Sequence, residues 1–227
     1  MSQRPLWIKI CGNTSLADAQ LAVEAGADAV GFVLAPSPRR VTVAEVAAIV
    51  PQLPTAVEKI GVFLDAELGE IVATVEACGL TGVQLHFDAD LGLPARLHER
   101  LGPEVRILRV VHFGVDAAEQ MTEQIAQHTG NPHVDAVLVD SRTAGAVGGT
   151  GIAFDWTVAR ESLFQNAEAR KRLVAAGGLN PGNVAAAIAA LQPWGVDAVS
   201  GVEAAPGRKD ADKVREFVAR ARAAERK

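Results

Sequence analysis

Lys9-Ile10-Cys11-Gly12 reads as a short apolar strand that ends on a thiol and a glycine. Side chains alternate along a strand, so Lys9 and Cys11 share one face while Ile8 and Ile10 take the other. A polar pair on one face and an apolar pair on the other suits the first strand of a parallel β/α barrel. In such a barrel the C-terminal ends of the strands carry the chemistry. Cys11 stands at such an end, which makes its thiol the first candidate for a catalytic group.

Working outward from that strand, β-branched runs alternate with Ala-rich helical segments. Candidate strands fall at 7–11, 29–34, 59–64, 82–86, 105–111, 136–140, 172–176 and 197–200. Candidate helices lie between them at 15–25, 43–50, 66–78, 91–101, 116–128, 155–161, 181–191 and 210–223. Strict alternation argues for βαβ crossovers and a parallel sheet, and eight strands close a barrel. The expected fold is therefore a single (β/α)8 TIM barrel of class α/β, one domain over residues 1–227, a length that suits this fold. A doubly wound open sheet would need a topological switch point, and none is marked. Local signals agree. Ser15 is a helix N-cap with Asp18 three residues on as a weak capping box, and Gly26 is a C-terminal stop. Asn180 is expected to cap a helix whose first turn holds Pro181.

Composition narrows the function classes. Hydrophobic residues make up 49% and charged residues 22%, values of an ordinary globular chain. The net charge is -5, and Arg170-Lys171-Arg172 is the one compact basic patch, which argues against a nucleic-acid partner. No run approaches the ~18 apolar residues of a membrane span. The start, Met1-Ser2-Gln3-Arg4-Pro5, lacks a signal-peptide core, so the expected location is cytoplasmic. Cys11 and Cys78 do not make a disulfide framework. The mixed charges from Lys209 to Lys227 read as a solvated helix face. Oligomeric state is not legible.

Three glycine-rich stretches lie near late strand ends: Gly145 through Gly151, Ala176-Gly177-Gly178-Leu179-Asn180, and Ser200-Gly201-Val202-Glu203 with Pro206-Gly207 after it. Glycine lets backbone N–H groups approach an anion because no Cβ intervenes. Barrels of this kind often hold phosphate with the loops after strands seven and eight and the N-terminus of a small extra helix. The second and third stretches occupy those two positions, and a short helix starting near Gly201 would aim N–H groups at the phosphate. The first stretch reads as a loop beside the site.

These pieces together resemble the phosphoribosylanthranilate isomerase family. The matching motifs are Lys9-Ile10-Cys11-Gly12, Gly31-Phe32-Val33 with Ser37-Pro38-Arg39, Gly61-Val62-Phe63, and Val83-Gln84-Leu85-His86. Later come Val139-Asp140-Ser141, Gly148-Gly149-Thr150-Gly151 with Phe154-Asp155-Trp156, Ala176-Gly177-Gly178-Leu179, and Gly201-Val202-Glu203 through Pro206-Gly207. The ordered set spans nearly the whole chain. It departs from the family at Phe87, where a glycine is usual, at Val199, where a serine is usual, and in a loop before Arg39 that is about one residue short.

The resemblance implies an Amadori rearrangement in tryptophan biosynthesis. N-(5-phosphoribosyl)anthranilate becomes 1-(2-carboxyphenylamino)-1-deoxyribulose 5-phosphate, with no metal or cofactor, since the anthranilate nitrogen serves as the electron sink. Cys11 is the implied general base and Asp140, ending strand six, the implied general acid. Lys9 would supply positive charge near the thiol. Arg39 is the implied contact of the anthranilate carboxylate, with Arg40 as the alternative. Gly177, Gly178, Ser200 and Gly201 are the implied phosphate contacts. His86 ends strand four and is either a pocket residue or a satisfied core histidine; Asp197 either bonds substrate or orients a loop. His98, His112, His128 and His133 read as structural or exposed.

On the residues alone, Cys11 is otherwise a small buried hydrophobe and Asp140 a loop cap. Competing functions are another phosphosugar enzyme on this scaffold or a non-catalytic protein that binds a phosphate ligand. A histidine-pathway isomerase would carry aspartate in place of Cys11. An indole-forming lyase would show a Lys/Glu pair at the strand ends, and a protein that had lost catalysis would have no reason to keep both Cys11 and Asp140.

Overall fold

Eight aliphatic runs become the parallel strands β1 Trp7–Ile10, β2 Ala29–Val33, β3 Glu58–Phe63, β4 Gly82–Leu85, β5 Arg106–His112, β6 Ala136–Asp140, β7 Leu173–Ala176 and β8 Gly195–Ala198. They pair in chain order, and β8 returns to β1 with Trp7 opposite Gly195 and Ile10 opposite Ala198, closing the barrel. The computed structural model describes residues 5–86, 90–112, 118–140 and 173–225. Helices α1 Leu16–Glu24, α2 Val43–Ile49, α3 Leu68–Cys78, α4 Leu93–Leu101 and α5 Ala118–Gly130 follow the first five strands. Helix α6 Val184–Leu191 follows β7, and α7 Ala211–Glu225 comes after β8. This is the expected (β/α)8 barrel. The expected sixth helix at 155–161, the glycine stretch at 145–151 and the basic triplet at 170–172 lie outside the described residues.

Strand alternation sorts the core into two shells. Ile8, Ile10, Val30, Phe32, Ile107, Val111, Val137 and Val196 point outward and pack against helix residues such as Ala19, Ile71, Leu97 and Phe217. Trp7, Ala29, Ile60, Leu108, Val110, Ala136, Leu138, Val174 and Ala176 form a separate inward cluster. At the N-terminal ends of the strands Trp7 stacks on Trp194, with ring centroids 5.1 Å apart. Arg106 lies over Trp194 at 5.3 Å and pairs with Glu58 at 3.1 Å. This aromatic floor makes the barrel a packed core rather than a pore.

Several local expectations change. The Ser15 hydroxyl accepts from the Asp18 N–H at 3.1 Å, but the Asp18 carboxylate accepts from the Lys209 N–H at 3.2 Å, so this capping box is half-made. A complete box forms instead at Thr42 and Glu45 on α2. Asn180 and Pro181 do not open a helix. The Asn180 N–H donates to Asn183 Oδ1 at 2.8 Å, and α6 starts only at Val184. Asparagine side chains compete for backbone groups in this way and favour turns over helix. Strand β8 starts two residues earlier than expected, at Gly195, and also ends two residues earlier, at Ala198, because Ser200–Val202 winds into a 3-10 turn. An antiparallel hairpin of β9 Glu203–Ala205 and β10 Arg208–Lys209 then follows, turning at Gly207 with φ +79°. Lys209 therefore belongs to a strand and is buried, not part of a solvated helix face.

Candidate active site

The inward face of β1 carries Trp7 and Lys9, and Cys11 continues that face one step past the strand. Lys9 is fully buried, so its ammonium needs partners from neighbouring strands. Its Nζ donates to Gln84 Oε1 on β4 at 2.7 Å and to Asp197 Oδ1 on β8 at 3.1 Å. Gln84 Nε2 lies 2.8 Å from His86 Nε2, an amide donor facing a ring nitrogen that then accepts. A polar chain thus runs Asp197–Lys9–Gln84–His86 across the barrel interior, beneath Cys11. Burial works against the Lys9 charge, but Asp197 and the Cys11 sulfur outweigh it and its pKa is raised. Burial pushes the Cys11 thiol up, the Lys9 ammonium pulls it back and Asp197 pushes it further up, leaving it above the ordinary thiol value.

Asp140 ends β6, one strand position beyond Leu138 on the same face, and is 2% exposed. Cys11 and Asp140 both open into one cavity at the C-terminal face of the barrel. Strands β1 and β6 lie three apart in the closed ring, so thiol and carboxyl face that space from different sides. Val33, Val62, Phe63 and Leu64 form an apolar wall, and Gln84, His86, Arg39 and Asp197 supply polar groups. His86 therefore lines the pocket, and Asp197 both lines it and holds Lys9. His112 sits next to His86, with ring centroids 5.7 Å apart, and is itself exposed.

Arg39, not Arg40, reaches the cavity; Arg40 is exposed. Nε and Nη2 of Arg39 form a bidentate pair with Glu203 at 2.8 and 2.7 Å, which leaves Nη1 as the nitrogen not used in that pair. The stem of Arg39 crosses Gly12, where a Cβ would come within 2.8 Å of Cδ and where φ is +74°. Glu203 also accepts from Lys209 Nζ at 3.3 Å. Burial opposes the Glu203 charge, but the Arg39 bonds and the Lys209 ammonium hold its carboxyl below the usual range.

The loops after β7 and β8 meet beside this cavity. Gly177 and Gly178 have φ of +84° and +69°, and open space surrounds the Cβ position of Gly178. A Cβ on Gly201 would overlap the carbonyl oxygen of Leu179, so the two loops touch only because that residue is glycine. Ser200 is exposed and begins the 3-10 turn that stands where a short helix was expected. Phe87 and the loop at 144–147 lie outside the described residues.

Glu203 and Lys209 escaped the sequence reading as site-building residues, because Lys209 begins a run of mixed charge. Gln84 stands in a motif with His86, but its bond to Lys9 has no sequence signal. The apolar wall from β2 and β3 likewise sat unnoticed inside motifs.

A closed barrel with a carboxyl, a thiol and an arginine on one cavity at its C-terminal face, beside two glycine-rich loops, has the make-up of an acid–base enzyme. Residues 8–220 match the family model described as N-(5'phosphoribosyl)anthranilate (PRA) isomerase. The N-(5'-phosphoribosyl)anthranilate isomerase of Pelobacter propionicus is 45% identical over 212 residues, 93% of each chain. The crystal structure of phosphoribosyl anthranilate isomerase from Thermotoga maritima covers 96% of this chain and 99% of its own, at 35% identity and a TM-score of 0.82. A further crystal structure of a phosphoribosyl anthranilate isomerase, in complex with reduced 1-(o-carboxyphenylamino)-1-deoxyribulose 5-phosphate, has a TM-score of 0.77 at 32% identity and covers 96% of this chain and 99% of its own. The chain belongs to the N-(5'-phosphoribosyl)anthranilate isomerase family.

Proposed function

We propose that this protein converts N-(5'-phosphoribosyl)anthranilate into 1-(2-carboxyphenylamino)-1-deoxyribulose 5-phosphate, a step of tryptophan biosynthesis, with Asp140 as general acid and Cys11 as general base. Protonated Asp140 gives its proton to the furanose ring oxygen. The C1–O bond breaks and the anthranilate nitrogen's lone pair forms the C1=N iminium. The Cys11 thiolate takes the C2 proton, and the C–H electron pair flows into the C1–C2 bond while the C=N pair returns to nitrogen. The enolamine then tautomerises to the ketone. The observation that carries this reading is the shared cavity, which Cys11 and Asp140 enter from strands three apart in the ring.

Arg39 binds the anthranilate carboxylate through the guanidinium edge not taken by Glu203, since a planar fork suits a carboxylate. The apolar wall of Val33, Val62, Phe63 and Leu64 takes the aromatic ring, with His86 at its edge. The backbone of Gly177, Gly178, Ser200 and Gly201 takes the phosphate. No helix among the described residues is long and apolar enough to cross a membrane. The free thiol that the proposed base requires favours a reducing, cytoplasmic setting, and we read the chain as one domain. The test is direct. Purified protein should abolish phosphoribosylanthranilate fluorescence with turnover and restore growth of a tryptophan auxotroph lacking this isomerase. Failure of the purified, folded protein in the fluorescence assay overturns the reading.

A further inference from the structure

We propose that Lys209, on the β9–β10 hairpin, is the positioning residue that holds the catalytic base in place by clamping the main-chain carbonyl of Cys11. The Cys11 peptide has two handles. Its N–H donates to the Ala198 carbonyl at 2.9 Å, which is ordinary barrel pairing with β8. Its C=O lies where β1 has ended and Gly12 has turned to φ +74°, beyond reach of a strand partner. Lys209 Nζ supplies that partner at 2.6 Å, with no side-chain exposure to water. The same ammonium reaches the Val199 carbonyl at 3.4 Å, so one cation ties the ends of β1 and β8 together.

The hairpin is built to deliver this group. Its turn is pinned by Thr14 Oγ1 donating to the Gly207 carbonyl at 2.5 Å, and the Lys209 N–H is held by Asp18. Glu203 lies between Lys209 and Arg39, bonded to both. Two cations then flank one carboxylate, and of the two only Arg39 lines the cavity. Since the sulfur hangs from the clamped residue, loss of the clamp moves the base directly, while Arg39 keeps both of its own bonds to Glu203. Displacement of a reacting group by about 1 Å costs on the order of a hundredfold in rate. Lys209 has this role only if Cys11 is the base proposed above.

The experiment compares Lys209→Met and Lys209→Arg with the parent protein, by kcat in the fluorescence assay and by Kd for reduced 1-(o-carboxyphenylamino)-1-deoxyribulose 5-phosphate. An inactive parent would sink the isomerase reading itself; the comparison concerns Lys209 once the parent turns over. Lys209→Met should lower kcat at least tenfold while Kd stays within threefold. Lys209→Arg keeps the buried charge, and with it the fold. Its planar fork cannot place one nitrogen on both carbonyls and Glu203, so kcat should fall at least fivefold, again with Kd little changed. That second variant decides the matter if the first does not fold. A kcat within twofold of the parent overturns the proposal, and so does a loss of affinity that parallels the loss of rate, since a merely structural hairpin would damage both.

Discussion

Cys11 and Gly31 face each other across the β1–β2 pairing, with the Cys11 sulfur 2.5 Å from where a Cβ on Gly31 would stand. The Lys9 Cε lies 3.0 Å from the same point. The thiol and the end of the Lys9 stem therefore occupy space that only a glycine leaves open. Gly31→Ala must displace both inside a packed barrel, where such overpacking costs ~1–3 kcal/mol. We expect a lower melting temperature and at least a tenfold fall in kcat; a variant with parental kcat would show that the sulfur's position does not matter.

Replacing Cys11 by Ser and Asp140 by Asn removes the base and the acid while keeping size. Each should reduce kcat by about 10²–10⁴-fold, the usual worth of a positioned proton-transfer group. The reduced product analogue should still bind, as its carboxylate and phosphate contacts are elsewhere. Retention of most activity in either variant refutes that residue's role.

The Cys11 thiol is raised by burial and partly lowered by Lys9 and Lys209, with Asp197 opposing them. Iodoacetamide labelling of the Cys11 peptide, followed by mass spectrometry, should therefore rise with pH and reach half its maximum above the ordinary thiol value of ~8.5. Lys9→Met removes the nearest positive charge and should move the midpoint higher still. A midpoint near neutrality in the unliganded protein would contradict this electrostatic picture.

Lys9→Met also leaves Asp197 buried without its ammonium. Breaking a buried pair from one side costs ~3–5 kcal/mol. Urea unfolding should show a loss of that size, and the double variant Lys9→Met/Asp197→Leu should recover part of it. No recovery would mean that the pair is not the source of the loss.

Glu203 is held below the usual carboxylate range against its burial, chiefly by Arg39 and then by Lys209. A carboxyl with a depressed folded-state pKa stabilises the fold above its unfolded value of ~4.3, and that stability is lost as pH falls. Stability should thus drop through the region below about pH 4.3, and Glu203→Gln should flatten that drop. Parallel curves for parent and variant would exclude Glu203 as a contributor.

Barrel closure was legible because eight aliphatic runs, each bounded by turn residues, leave few other solutions. That Lys9 and Cys11 share one face follows from strand alternation, and closure of the barrel turns that face inward. Choosing Arg39 over Arg40 took the structure, since the bond to Glu203 joins residues 164 positions apart. The hairpin was hidden for a related reason: strands of three and two residues carry no period to detect. Lys209 is misread because a charged residue beginning a charged run looks solvated, and its burial is made tolerable by the Glu203 carboxylate and the distant carbonyls of Cys11 and Val199. The Asn180 cap failed because Asn183 offered its neighbour a competing side-chain acceptor.

The stacked Trp7 and Trp194 pair seals one mouth of the barrel. Among the described residues, substrate and product then share the cavity at the opposite end, where Cys11 and Asp140 lie. One site cannot hold both, so product should compete with substrate.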